Sequence, residues 1–173
     1  MAISIYELTV PSYLQTLSAV GACLDKALAH FREKGADPEA IVETRLHPDM
    51  LPFRFQIQSV VHHSVGAMEG IRSGRFEPPK DLPKHDYRGL QDLVAGARQA
   101  LQDLRPEAVN GLEGADVVFE LGKNRLPFTA TGFLQSFSLP NFYFHATTAY
   151  DILRAAGVPV GKRDYLGRLR FKS

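Results

Sequence analysis

Apolar residues recur at steps of three and four over four long stretches of the chain, the spacing of one face of an α-helix. The first predicted helix runs over 9–34 on Val10, Tyr13, Leu14, Leu17, Val20, Leu24, Ala27, Leu28 and Phe31. Thr9 is its expected cap, Pro11 falls within its first turn, and Gly35 ends it. Asp37-Pro-Glu-Ala-Ile-Val-Glu43 places a cap before a proline and predicts a short helical turn. The second long helix is expected from about Met50 to Ser73, with Asp49 as N-cap and a stripe of Phe53, Ile57, Val60, Ser64, Ala67, Met68 and Ile71. Gly74, Pro78, Pro79 and Pro83 then predict a loop over 74–85. The third helix, 86–104, carries Tyr87, Leu90, Leu93, Val94, Ala97, Leu101 and Leu104, and Pro106 opens a further turn closed by Gly111.

Between Asp116 and Thr129 the period falls to two. Val117–Leu121 and Arg125–Thr129 flank Gly122-Lys-Asn124, which predicts a β-hairpin whose second strand Pro127 confines to an edge. Two strands are marginal alone in water, so the hairpin is expected to lie on the helices or on a partner chain. The fourth long helix is predicted over 131–157. Pro140 in its middle removes one backbone hydrogen bond and is expected to bend it just before Asn141. The tail, 158–173, reads as extended or irregular. The elements define an all-α four-helix bundle with a small β-hairpin inserted before the last long helix, and the long connections leave its winding open.

Composition narrows the partners. The 173 residues, 45% hydrophobic and 23% charged, suit one domain covering the whole chain. No stretch has the run of about 20 apolar residues that a membrane span needs, and the N-terminus lacks the marks of a signal peptide. A soluble, cytoplasmic protein is therefore expected. A net charge of +1 gives no field for nucleic acid. The basic tail around Lys162, Arg163, Arg168, Arg170 and Lys172 has no interleaved stacking aromatics and reads as a solvated terminus. The single cysteine, Cys23, lies on the apolar stripe of the first helix and is expected to be a buried small hydrophobe.

Polar side chains on apolar faces mark the candidate chemistry. Asn141 and His145 stand one turn apart on the side that also carries Phe133, Phe137, Phe144, Thr148 and Ile152. On the second helix Gln56 and His63 lie along one edge of the stripe, with Asp49 one step back and His62 expected to face solvent. The aromatics Phe133, Phe137, Phe142, Tyr143, Phe144 and Tyr150 cover more than one face of the last helix, which suits core plus a dimer contact. Gly66, Gly70 and Gly74, four apart, read as close-packing points rather than a phosphate loop.

Ser4-Ile-Tyr-Glu-Leu-Thr-Val-Pro11, Arg45-Leu-His-Pro-Asp-Met50, Pro140-Asn-Phe-Tyr-Phe-His145 and Gly161-Lys-Arg-Asp-Tyr-Leu-Gly167 together resemble a small bacterial branch of domains of unknown function in the DinB/YfiT-like superfamily of four-helix bundles. The resemblance spans nearly the whole chain and implies an up-down-down-up winding and a homodimer. It also implies a divalent metal, zinc or nickel, held by one histidine of helix 2 and a His-x-x-x-His pair on the last helix. Here the pair is Asn141-x-x-x-His145, and a neutral amide is a weak ligand for such a metal. The expectation is therefore a polar pocket between helices 2 and 4, with Asp49, Gln56, Asn141 and His145 binding a small molecule and no conventional three-histidine metal site. Two alternatives stay open: a metal-dependent hydrolase or thiol transferase using His145 and His63, and a dimeric structural or adaptor module. No catalytic residue is assigned.

Overall fold

The computed structural model describes residues 3–79 and 82–172; of the loop expected over 74–85, Lys80 and Asp81 lie outside the described residues. The chain is mostly helical with one small sheet. Helix α1, Ile5–Glu33, starts earlier than its apolar stripe suggests because Ser4 caps it by accepting from the Glu7 amide. Thr9, the expected cap, lies inside the helix and donates to the Ile5 carbonyl. A 3₁₀ turn, Pro38–Ile41, follows with Asp37 as its cap.

The second long helical segment is α2, Phe53–Val61, a π turn over His62–Gly66, and α3, Ala67–Ser73. Its N-cap position is held by Pro52 rather than the expected Asp49, which stands in the exposed loop before it. Gly74 closes the segment in the left-handed region at φ 75°, where a side chain would be strained. Helix α4, Tyr87–Gln102, is capped by Asp86, and the short α5, Pro106–Asn110, follows.

The predicted hairpin forms as β2, Asp116–Leu121, and β3, Asn124–Thr129, with Gly122 at φ 60° in the turn and Pro127 on the outer strand. It is part of a three-stranded sheet, because Arg75–Phe76 in the expected loop forms β1 parallel to β2, with Phe76 opposite Phe119. Thr129 then caps the last long segment: α6, Ala130–Phe133, a second π turn over Leu134–Ser138, and α7, Leu139–Ala155. Pro140 therefore sits in the first turn of α7. The widened turn ahead of it lies where its ring would otherwise meet the Ser136 carbonyl, and replaces the simple bend expected there. The tail also departs from expectation, forming α8, Lys162–Leu166, which is tied to α1 by Lys26–Asp164 at 3.1 Å and by Gln15 donating to the Leu166 carbonyl.

The long segments share one core. Helix α1 packs on α4 and α7, and α2 packs on α7 and α4. Tyr13, Leu17, Leu24, Phe53, Ile57, Leu90, Phe133 and Phe142 are fully buried at these contacts. Cys23 is buried among them, and burial pushes its thiol up to about 11, as a small hydrophobe's would be. The two π turns face each other. The Ser138 hydroxyl, at the end of one, donates to the His63 carbonyl in the other at 2.6 Å. Since that uses the only proton of Ser138, the buried Tyr13 hydroxyl of α1 must donate to Ser138 Oγ, at 2.8 Å. Three helical segments thus meet on one hydroxyl.

Ser138→Ala should destabilise the fold by about 1–3 kcal/mol in urea denaturation, since it orphans a buried carbonyl and a buried phenol. Tyr13→Phe, which leaves the bond between the π turns intact, should cost only about 1 kcal/mol. Equal costs for the two substitutions would contradict this hierarchy.

Candidate functional site

A cavity of about 140 Å3 lies beside the facing π turns. Its walls are Phe55 and Ser59 of α2, His62 and His63 of the π turn, Phe76 of β1, Pro78 and Pro79 beyond it, Phe119 of β2, Phe137 and His145. The helix 2 side, the last long segment and the sheet each contribute one wall. The β1–β2 pairing matters here, because it sets Phe76 and Phe119 side by side, 6.0 Å between ring centroids, with the Phe137 ring 4.6 Å from Phe119 and tilted by 39°.

Of the residues expected to form a site, Gln56, His63 and His145 come together. His63 and His145 stack with centroids 5.7 Å apart and planes 14° from parallel. Gln56 is buried and bridges: its Nε2 donates to the Leu51 carbonyl at 2.8 Å, and its Oε1 meets His145 Nδ1 at 2.8 Å. Asn141 and Asp49 do not join them. The Asn141 side-chain amide turns back along its own helix to donate to the Phe137 carbonyl at 2.7 Å, inside the π turn ahead of Pro140. Asp49 is exposed and pairs with His47 two residues away.

His62 corrects the sequence reading, which pointed it to solvent. It is half-buried, its ring lying over Phe76 with centroids 4.4 Å apart. The π turn begins at His62 and takes it out of α-helical register, and Gly66 leaves room for the ring: a Cβ there would stand 3.0 Å from His62 Nδ1. Gly70 does the same for Phe76, also at 3.0 Å, so two of the three spaced glycines are close-packing points while Gly74 is a helix stop. The inward turn of His62 had no signal in the sequence, and neither had Phe55, Ser59, Phe76 and Phe119, because only the tertiary packing brings them to one cavity.

Desolvation sets the electrostatics. Burial pushes the His63 imidazole down to about 3, with the neighbouring His62 and His145 adding to the effect, and pushes His145 down to about 4. Burial lowers His62 as well. All three rings are neutral at physiological pH. Nδ1 of His63 is buried without a hydrogen-bond partner, whereas a backbone hydrogen bond with Glu77 offsets part of the desolvation of His62. Among the described residues no lysine or arginine lines the cavity, and the last-helix aromatics divide as Phe133 and Phe142 in the core, Phe137 in the cavity wall, and Tyr143 and Phe144 exposed.

The three-histidine metal centre of the superfamily does not fit these residues. Among the described residues no three histidine, cysteine, aspartate or glutamate side chains converge as a metal ligand set. The position that would complete the pair with His145 is an amide already engaged with a backbone carbonyl.

A mostly helical chain with this sheet and this inter-helix cavity falls into the DinB class of folds. Among solved structures it is similar to a crystal structure of a DinB family member protein from Shewanella denitrificans, at 28% sequence identity and a TM-score of 0.80, over 98% of this chain and 95% of that one. The chain belongs to the family described as domain of unknown function DUF1993, whose model matches residues 5–166. The comparison with curated proteins returned no match. No helix among the described residues is long and apolar enough to cross a membrane.

The depressed imidazoles make stability depend on pH in a defined direction. Unfolded histidines take up protons near 6.5, whereas folded His145 and His63 resist until about 4 and about 3. Their neutral-form stability is complete above 6.5 and is lost as pH falls through 6.5 toward 4, at up to about 1.4 kcal/mol per pH unit for each ring. Urea denaturation at pH 7.5 and pH 5 should show this loss, and His63→Gln should flatten it. A wild-type profile without slope in this window would contradict the assignment.

Proposed function

We propose that this protein binds a small, largely apolar molecule in the cavity between α2 and α7, without a three-histidine metal centre. The observation that carries this reading is the wall itself: three neutral imidazoles set among Phe55, Phe76, Phe119 and Phe137. The Nδ1 of His63 is buried unpaired, and such a group costs about 1–3 kcal/mol. Buried polar atoms without partners in a native fold call for a functional reason, and an adjoining cavity supplies one. The size supports a single ring, since an apolar cavity of about 150 Å3 takes one benzene-sized molecule.

The superfamily relationship supports the same location, because the pocket lies between the helices on which the metal would otherwise be held. Asn141 and Asp49 have no part in the binding reading. The exposed Tyr143 and Phe144 on α7 support the homodimer expected from the sequence, and a monomer at every concentration in sedimentation equilibrium would remove that element.

Thermal shift against a panel of single-ring compounds tests the binding reading. A binder at 100 times its Kd should add about 2.7 kcal/mol to stability, and His145→Ala should remove the gain while retaining helical circular dichroism. A panel that shifts neither melting temperature nor histidine resonances would end this reading. Stoichiometric zinc or nickel that is lost on His145→Ala would replace it with the metal-dependent alternative.

A further inference from the structure

The Gln56–His145 contact goes further, because it fixes which proton His145 carries. The Leu51 carbonyl can only accept, so the Gln56 atom that meets it at 2.8 Å is the amide nitrogen. Gln56 Oε1 then faces His145 Nδ1, and an amide oxygen can only accept, so Nδ1 carries the hydrogen. In a neutral imidazole that leaves Nε2 as an acceptor. Gln56 is 3% exposed and does not line the cavity, whereas His145 does, so the ring edge opposite Gln56 is the one presented to the cavity. The ring is held in place by the His63 stack and by edge contacts with Phe55, 5.7 Å away, and Phe144, 5.3 Å away.

We infer that the cavity selects a neutral single-ring ligand bearing an O–H or N–H donor, of the phenol class, which donates to His145 Nε2 while its ring packs among the surrounding phenylalanines. This rests on the binding reading above and names the ligand chemistry for it. An aryl carboxylate meets a lone pair where it needs a donor, with no lysine or arginine among the described residues of the wall to offset its charge. An unsubstituted ring fills the same space but leaves Nε2 unpaired. Gln56 acts as a positioning residue: it touches no ligand and sets the tautomer through which His145 reads one.

The test uses the 15N-labelled full chain titrated with phenol, benzene and benzoate near pH 7.5. Long-range 1H–15N spectra should show His145 with its proton on Nδ1, and phenol should shift the Nε2 resonance. One added hydrogen bond corresponds to phenol binding about ten-fold more tightly than benzene, with benzoate weaker still. Gln56→Met should release the tautomer preference and bring phenol to within about three-fold of benzene. Benzoate or benzene binding as tightly as phenol, or a proton on His145 Nε2 in the wild type, would overturn the inference while leaving a binding cavity. Failure of all single-ring compounds would instead overturn the binding reading beneath it.

Discussion

The hydrogen bond from Ser138 to the His63 carbonyl holds two irregular turns against each other, and the cavity depends on both. A π turn widens a helix and leaves backbone groups poorly paired, so it persists only where something outside the helix satisfies them. Here each turn supports the other: one supplies the hydroxyl and the second supplies the carbonyl, with the Tyr13 phenol completing the set. The arrangement is buried, so its hydrogen bonds do not compete with water. It also fixes the helix faces on either side. His62 and His63 lie in one π turn, while Phe137 lies in the other and His145 two turns beyond it. A regular helix at either place would bring a different set of side chains to the cavity.

The second constraint is that no charged side chain among the described residues lines the cavity to stabilise an imidazolium. Gln56 offers His145 an amide oxygen rather than a carboxylate, and the remaining walls are aromatic rings, prolines and one serine. Desolvation then dominates, and every histidine at the cavity is driven toward its neutral form. A site built in this way is a poor host for a carboxylate. It differs from a proton-transfer site as well, where a general base is tuned near neutral pH rather than three or four units below it. Recognition through a lone pair is the chemistry that such an environment favours.

How much of this was legible in the sequence follows from which forces are local. The long helices were, because each buries an apolar stripe whose spacing is written in the chain, and so was the cap at Asp37, which needs only Glu39 two residues on. The pairing of Gln56 with His145 was visible as two polar groups on apolar faces. The π turns were not, because the extra residue in each is stabilised by a partner 75 positions away in sequence. Strand β1 is two residues long and exists through its pairing with β2, and α8 is held by contacts to α1 rather than by a stripe of its own. Asp49 and Asn141 were drawn into the expected site by their spacing, but each found a nearer partner: His47 in the loop and the Phe137 carbonyl one turn back. Short polar side chains near turns and prolines commonly bond their own backbone or immediate neighbours, and that competition is invisible in spacing alone.

The same competition explains why a DinB fold need not carry the metal chemistry of its relatives. Three imidazoles around a cation require each ring to keep a lone pair for the metal and each helix to hold its ligand in one register. In this chain the register is spent differently. The asparagine ahead of His145 bonds its own helix beside the proline, and the π turn in helix 2 delivers two adjacent histidines that do not converge with a third donor among the described residues. His145 alone retains the form a ligand histidine takes, with Nδ1 oriented by an acceptor behind it and Nε2 facing the cavity. That orienting contact serves a hydrogen-bond donor as well as it serves a metal. A single well-oriented imidazole lacks the additional ligands that hold zinc or nickel tightly, but it suffices to distinguish a phenol from a plain ring. The superfamily's arrangement of helices thus keeps its most useful part, one preorganised lone pair in an apolar cavity, after the rest of the ligand set has been diverted to holding the backbone together.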